Sequence, residues 1–333
     1  MRWLRRMLIL LLVLGVAAGG AFYYWRNELD APIALQQATV YEVEKGAGVR
    51  QVLDDLAARG IIAHAWPYQV LGVLEPEKVK GLRAGEFKLM PGMNAYQLLA
   101  KLSSNDVVTY LITVPEGRTF AEMRQLFDAA PKLAHDTQGM SDDALMARLG
   151  HDGEKPEGRF FPSSYRYRKG TSDLTLYRQA YRHMQEALEK VWADRQQDLP
   201  LDSAYQALIL ASLIEKETGA PEERREIAGV FIRRLQRGMR LQTDPTVIYG
   251  LGKDYDGSLS RADLARATPY NTYVIDGLPP TPIALPGQAS LEAAVDPKPG
   301  DSLYFVSMGD GHHHFSSTLS EHNAAVRRYI LNR

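Results

Sequence analysis

Two glutamates at the end of an apolar segment are the side chains best suited to acid–base chemistry. Residues 205–217 have the pattern of an apolar helix that ends before Gly219 and Pro221, with Glu215 and Glu217 in its last turn. The partial negative charge of a helix C-terminus raises the pKa of a nearby carboxyl group, and so does burial. A raised pKa is what a general acid needs near neutral pH.

Glu215 is the stronger candidate because Ala211 and Ser212, one turn before it, are small and leave room for another molecule to approach. Lys216 opposes a raised pKa if its ammonium points the same way. Glu217 lies two positions further on and therefore faces another side of the helix, so the two carboxyls cannot form a facing pair. On spacing alone, a glutamate at this position is more often an exposed residue of a charged helix end than a catalytic group.

The composition excludes several classes of chemistry. The chain has 333 residues, 45% hydrophobic and 24% charged, which is enough for an anchor and about two domains with buried cores. It has no cysteine, which excludes a thiolate nucleophile, disulfides and cysteine-bound zinc. The net charge of -1 does not favour nucleic acid as a partner.

The N-terminus has the pattern of a membrane anchor. Three arginines within residues 1–6 precede an uncharged apolar run at 7–25, whose helical length of roughly 28 Å is about one bilayer core. Aromatic residues at 22–25 indicate the far interface. Because arginines precede the run and Glu28 and Asp30 follow it, residues 1–6 are expected in the cytoplasm and the rest outside. A cleaved signal peptide, processed near the small residues 19–21, is the alternative; the length of the run favours an anchor.

A repeated pattern follows a predicted linker at 26–37. Three strand-like stretches end at Gly46, Gly92 and Gly117, and each is followed two residues later by a predicted helix start at Gly48, Asn94 or Thr119. The first two copies lie in residues 38–110, which resemble a LysM-like module of the β-α-α-β kind. LysM modules hold N-acetylglucosamine-containing glycans. A small α/β domain repeated only for packing is an equal alternative.

The remaining residues, 111–333, are expected to form a mixed, helix-rich domain with its core in 203–333, so the predicted fold class is α+β. A long amphipathic helix is predicted over 174–193, and Gly309-Asp310-Gly311 indicates a hairpin. The run His312-His313-His314 lies beside that turn, and no third ligand is evident. A surface hairpin is therefore favoured, and neither a metal nor a cofactor is predicted.

Four segments resemble the signatures of the endolytic murein transglycosylases, the MltG or YceG-like family. They are Ala211 to Gly219, Leu241 to Gly250 with Gln242-Thr243-Asp244-Pro245, Tyr270-Asn271-Thr272-Tyr273, and Gly277 to Ile283. The resemblance covers nearly the whole chain. It implies an inner-membrane enzyme with a periplasmic catalytic domain. Such an enzyme cuts nascent peptidoglycan strands between N-acetylmuramic acid and N-acetylglucosamine, and leaves 1,6-anhydro ends that could terminate elongation.

Carried over by motif, Glu215 is the catalytic acid/base and a further set of residues binds substrate. That set is Ser212, Glu217, Gln242, Thr243, Asp244, Tyr249, Asn271 and Tyr273. Each could instead be a turn or core residue. The chain departs from the family in having Ser163 and Ser164 where an acidic residue and Thr are usual, which puts a substrate contact there in doubt.

The expected partners are glycan strands, the inner membrane and peptidoglycan synthases. Three other functions remain open. A hydrolytic muramidase could use Asp244 to orient water. A non-catalytic scaffold would only bind glycan. A metal-dependent amidase is least favoured, because no spaced set of ligands is evident.

Overall fold

The computed structural model describes residues 2–331, and the chain divides into two compact units. The first takes the chain up to Tyr110 together with Tyr167–Gly170, and the second takes Leu111–Arg166 and the chain from Thr171 on. Both contain helices and short strands, so the fold class is α+β.

The first unit begins with helix α1, Arg2–Asp30, which is long and apolar enough to cross a membrane. The helix does not end at Trp25, where the sequence pattern placed the end of the anchor. Trp25 and Leu29, four residues apart on one face, are buried in the core of the unit, and the Trp25 indole donates to the Pro67 carbonyl at 2.9 Å. The first five residues of the predicted linker are therefore helical.

A two-stranded antiparallel sheet and the helices between its strands form the body of the first unit. Strand β1 pairs with β2 from Thr39 opposite Leu89 to Val43 opposite Gly85. The order strand, helix, helix, strand is that of the predicted β-α-α-β module, with α4 as an additional short helix. The elements are β1 (Thr39–Val43), α2 (Val49–Ala58), α3 (Trp66–Leu74), α4 (Pro76–Val79), β2 (Gly85–Leu89) and α5 (Ala95–Ser103).

The second unit is built mainly of helices, with three further strand pairs. Strand β3 pairs with β5, β4 with β6 in parallel, and β7 with β8 in antiparallel. The first part contains β3 (Tyr110–Thr113), α6 (Phe120–Asp128), β4 (Leu133–Ala134), α7 (Asp142–Leu149), β5 (Ser164–Tyr167), β6 (Thr171–Ser172) and α8 (Asp173–Ala193). The second part contains α9 (Ala204–Glu217), α10 (Arg224–Gln236), α11 (Asp244–Leu251), α12 (Arg261–Ala265), α13 (Gln288–Val295), β7 (Tyr304–Ser307), β8 (His313–Ser316) and α14 (Leu319–Val326).

Helix α9 is the central element of the second unit. It packs against α8, α10, α11 and α13, and every residue from Ala207 to Ile214 is buried. A helix that is apolar on all sides is stable only when other elements surround it. The predicted long helix and the hairpin around Gly309 to Gly311 are confirmed as α8 and as β7 with β8.

The predicted repeat of strand, glycine turn and helix is present in all three copies, and the helices of the second and third copies have side-chain caps. Gly46, Gly92 and Gly117 have φ of 87°, 82° and 74°, a left-handed conformation that glycine adopts most easily. Asn94 caps α5 and Thr119 caps α6, each in a capping box with the residue three positions on. A capping box satisfies amides at the helix start that have no partner within the helix.

The cap at Thr119 can be tested by stability. We expect Thr119→Ala to lower the free energy of unfolding by about 1 kcal/mol, because the Glu122 amide loses its acceptor. Thr119→Ser keeps the hydroxyl and is the matched control. Urea denaturation measures both variants, and equal losses for alanine and serine would contradict the capping role.

Candidate active site

The last turn of α9 directs its two glutamates to different surroundings. The Glu215 carboxylate accepts the Gly287 amide at 3.0 Å and lies 3.9 Å from the Arg224 guanidinium, with its side chain only 6% exposed. The Glu217 carboxyl accepts a hydrogen bond from the Thr243 hydroxyl. The prediction that positions two apart face different sides is therefore confirmed.

Glu215 lies in a closely packed cluster. A Cβ atom on Gly287 would come within 1.9 Å of a carboxylate oxygen of Glu116, so a larger residue there would displace the Glu116 side chain. Burial raises the pKa of Glu116, and the nearby negative charge of Glu215 raises it further. Glu116 belongs to one of the repeated glycine turns, but the sequence pattern did not indicate this contact. Glu215 lines neither of the two cavities described below.

Glu217 lines a cavity of about 310 Å³. Three residues singled out from the sequence share its wall, namely Gln242, Asp244 and Tyr273. Other lining residues carried no sequence signal, because they come from helices and strands distant along the chain: Arg234, Tyr304, Phe305, Leu319 and His322. The structure thus brings together Glu217 and the two polar segments that the motif resemblance selected.

The environment of Glu217 suits a general acid. Burial raises its pKa to about 7, and the neighbouring Asp244 carboxylate contributes in the same direction. The Thr243 hydrogen bond and the positive charge of Arg234 act in the opposite direction. A carboxyl with a pKa near 7 is partly protonated at neutral pH, so it can donate a proton and then accept one.

Buried hydrogen bonds hold the polar wall of this cavity. Gln242 has φ of 52°, an unfavourable conformation for a residue with a side chain, and its amide donates to the Thr272 carbonyl at 3.1 Å. The Thr243 amide donates to the Thr272 hydroxyl at 3.0 Å, and the Tyr273 hydroxyl donates to Asp244 at 2.6 Å. The segments 242–244 and 271–273 therefore position each other.

Arg234 fixes the same wall from α10. Its guanidinium donates to the Leu303 carbonyl at 2.7 Å and the Leu241 carbonyl at 2.9 Å, and it lies 3.4 Å from the Gln242 side-chain oxygen. Burial lowers the pKa of this guanidinium from its usual high value. Arg234 thereby supplies a fixed positive charge beside Glu217.

Two predicted substrate contacts are fully buried in the structure, since Ser212 and Asn271 are both 0% exposed. The Ser212 hydroxyl donates to the Ile209 carbonyl at 2.7 Å and accepts the Ile283 amide at 3.0 Å. The Asn271 amide group donates to three backbone carbonyls, the shortest at 2.8 Å to Arg266. These side chains hold loops in place and offer no surface to a ligand.

Tyr249 lies in a second cavity, of about 710 Å³, rather than beside Glu217. Its ring packs edge-on against Tyr270 at 4.8 Å, and its hydroxyl donates to Glu157 at 3.1 Å. Lys216 also lines this cavity. Helix α11 borders both cavities, because Asp244 lines the first while Pro245, Ile248 and Tyr249 line the second.

Glu157 was not among the residues predicted to have a role. Its carboxyl accepts the Phe120 amide at 3.0 Å and the Tyr249 hydroxyl, and burial raises its pKa to about 7. Tyr249 is therefore oriented by a buried acid.

The histidines of the hairpin make protein contacts. The His313 ring lies 2.7 Å from Glu223, and its amide donates to the same carboxylate at 2.8 Å. Elsewhere in the second unit, donor atoms of Asp128, His135 and Asp173 lie within 4.8 Å of one another. Asp173 already accepts the Thr137 hydroxyl at 2.6 Å and the Leu174 amide at 2.7 Å.

A partly protonated carboxyl in a polar cleft, beside an amide, a second carboxylate and a phenol, has the chemistry that general acid–base catalysis on a ligand rich in hydroxyl and amide groups requires. A profile of the YceG-like family matches residues 41–328. The chain therefore belongs to the YceG-like family.

The relatives agree in name. An endolytic murein transglycosylase of Bacillus subtilis (strain 168) is 31% identical over 94% of this chain and 91% of its own length. An endolytic murein transglycosylase of Streptococcus pneumoniae (serotype 2, strain D39) is 23% identical over 96% of this chain and 64% of its own length. The crystal structure of a YceG-like protein from Listeria monocytogenes, 29% identical, matches with a TM-score of 0.54 over 87% of this chain and 100% of its own.

The buried acid Glu157 makes stability depend on pH. Its pKa of about 7 in the folded protein lies above the ordinary 4.5. Its contribution to the free energy of unfolding is therefore fully present below pH 4.5 and is lost as pH rises through 7. We expect Glu157→Gln to gain stability relative to wild type between pH 5 and 8, by about 2 kcal/mol. Thermal unfolding at both pH values measures this difference in stability. The control is Glu186→Gln, which changes an exposed glutamate. A difference that is independent of pH would contradict the raised pKa.

Proposed function

We propose that this protein is an endolytic lytic transglycosylase that cleaves peptidoglycan glycan strands, with Glu217 as its acid/base. The observation that carries the proposal is the carboxyl of Glu217, with a pKa of about 7, in a cavity that it shares with Gln242, Asp244 and Tyr273. Membership of the YceG-like family and the names of its relatives support the reaction class.

The chemistry requires one group that first donates and then accepts a proton. Protonated Glu217 donates to the glycosidic oxygen between N-acetylmuramic acid and N-acetylglucosamine, and the bond from that oxygen to the anomeric carbon breaks. The resulting carboxylate takes the proton of the muramic acid C6 hydroxyl, whose oxygen bonds to the anomeric carbon. The product is a 1,6-anhydro end, and no water is consumed. The attack is intramolecular and therefore has a high effective concentration.

The other residues of the cavity have distinct roles in this proposal. Thr243 orients the carboxyl of Glu217 through its hydroxyl. Asp244, held by Tyr273, places negative charge where the sugar becomes cationic in the transition state. Gln242 and Tyr273 offer an amide and a phenol to acetamide and hydroxyl groups.

Glu217 replaces Glu215 in this assignment for a geometric reason. The sequence-based prediction placed the acid/base at Glu215, and no observation here tests that residue directly. However, the Glu215 carboxylate is engaged by the Gly287 amide and packed beside Glu116, while Glu217 lines a cavity that a ligand can enter. The geometry therefore supports Glu217, and Glu215 serves to hold the start of α13.

A hydrolytic muramidase is the second candidate. The observation in its favour is Asp244, a second carboxylate in the cavity of Glu217, which could orient water. Product mass separates the two reactions, because a hydrolysed end retains one water that an anhydro end lacks.

The proposal also assigns roles to helix α1 and to the rest of the first unit. We infer that α1 anchors the protein in the inner membrane with its N-terminus in the cytoplasm, which would put the enzyme near peptidoglycan synthases. The β-α-α-β order of the first unit supports its proposed role as a LysM-like glycan-holding module.

Paired variants test the acid/base. We expect Glu217→Gln to lower the release of anhydro products from purified sacculi by about 10²–10⁴-fold, because the amide cannot donate the proton. Glu215→Gln should keep activity within tenfold of wild type once its folded state is checked by circular dichroism. Mass spectrometry of the products is the measurement. Loss confined to Glu215→Gln would restore that residue as the acid/base.

The pH profile tests the environment of Glu217. Activity should fall as pH rises through about 7, since the general acid is then deprotonated. Asp244→Asn removes a charge that raises this pKa, so the alkaline limb should move to lower pH. Thr243→Val removes a hydrogen bond that lowers the pKa, so the limb should move to higher pH. Shifts of both variants in one direction would contradict this account.

A further inference from the structure

The second helix of the first unit's body, α3, presents an apolar face that is partly exposed at its start and largely exposed at its end. Trp66, Val70, Val73 and Leu74 are 39%, 38%, 81% and 60% exposed. Their positions at i, i+4, i+7 and i+8 place them on one side of the helix. Apart from the buried Tyr68, Gln69 is the one residue of α3 with a polar side chain, and none of the nine residues is charged. An exposed helix surface without charge is unusual for a surface in water.

The start of α3 is attached to the end of the apolar part of α1. The rings of Tyr24 and Trp66 stack with 6.2 Å between centroids and 14° between planes. The next residues are joined as well, because the Trp25 indole donates to the Pro67 carbonyl at 2.9 Å. These contacts place the first turn of α3 at the level of residues 24 and 25 of α1.

The segment that follows α3 also lies close to residues 24–26 of α1. Lys78 of α4 has its ammonium 4.7 Å from the centre of the Tyr96 ring, and the Tyr96 hydroxyl accepts a hydrogen bond from Arg26 at 3.0 Å. The chain from Trp66 to Lys78 is therefore held at both ends beside residues 24–26. The exposed face of α3 lies between these two attachments.

Residues 22–26 have the composition of protein segments that lie at a membrane interface. Phe22, Tyr23 and Tyr24 are 59%, 75% and 53% exposed, and aromatic side chains of this kind occupy the boundary between headgroups and acyl chains. Arg26 follows after the buried Trp25, and its cationic group suits lipid phosphates.

We propose that the exposed face of α3 inserts into the headgroup and acyl-chain boundary of the leaflet from which α1 emerges. Trp66, Val70, Val73 and Leu74 are the inserted side chains, and Arg26 and Lys78 lie at the level of the phosphates. The first unit is thus bound to the bilayer by a second element beside its anchor. This inference rests on the proposed anchoring by α1.

The absence of cysteine makes a clean experiment possible. The full chain carrying Val73→Cys is labelled with an environment-sensitive fluorophore and reconstituted into vesicles of phosphatidylethanolamine and phosphatidylglycerol. The matched control is Val40→Cys, since Val40 is a 51% exposed valine on β1 of the same unit. The label at position 73 should be at least threefold less quenched by aqueous iodide than the label at position 40. Lipids with brominated acyl chains should quench the label at position 73.

The outcomes are distinguishable. If the full chain does not float with the vesicles, anchoring by α1 fails and this inference fails with it. If it floats but iodide quenches both labels equally, the insertion of α3 is overturned while anchoring stands. If position 73 is protected from iodide but brominated lipids do not quench it, a protein surface covers α3 and the lipid assignment is overturned.

Discussion

The burial of α9 on all sides is the constraint on which the rest of the second unit depends. Because Ala207 to Ile214 are enclosed by four other helices, the last turn of α9 is held in one orientation. A helix separates positions two apart onto different sides, so one carboxyl must meet the packed start of α13 while the other meets the cavity. The acid is thereby placed by apolar packing, and its pKa is raised by the same burial.

The wall opposite this acid is positioned by backbone geometry more than by its own side chains. Thr272 receives hydrogen bonds from the amides of both Gln242 and Thr243, and Asn271 holds the preceding turn through three carbonyls. The unfavourable φ of Gln242 is maintained by these contacts and by Arg234. A preorganised polar wall of this kind has little to reorganise when charge develops on a ligand.

Local patterns in the sequence predicted the parts of the structure that local physics determines. The glycine turns, the caps at Asn94 and Thr119 and the terminal hairpin are each specified within a few residues. The fold class followed from the same patterns, whereas the polar segments of the cavity were selected by the resemblance to a family. The different surroundings of Glu215 and Glu217 could not be predicted this way, because the contact of Glu215 is with Gly287, which is 72 residues away. Ser212 and Asn271 have the chemistry of ligand contacts, but the backbone already engages them, which no spacing reveals.

The unbroken helix that joins the apolar segment to the core of the first unit has a mechanical consequence. Trp25 and Leu29 are packed into that core, so no hinge separates the unit from the part of α1 suited to a bilayer. A spanning helix adapts to the thickness of its bilayer by tilting. Any such tilt would turn the whole first unit as a rigid body. Bilayer thickness would thus set the angle between this unit and the plane of the bilayer.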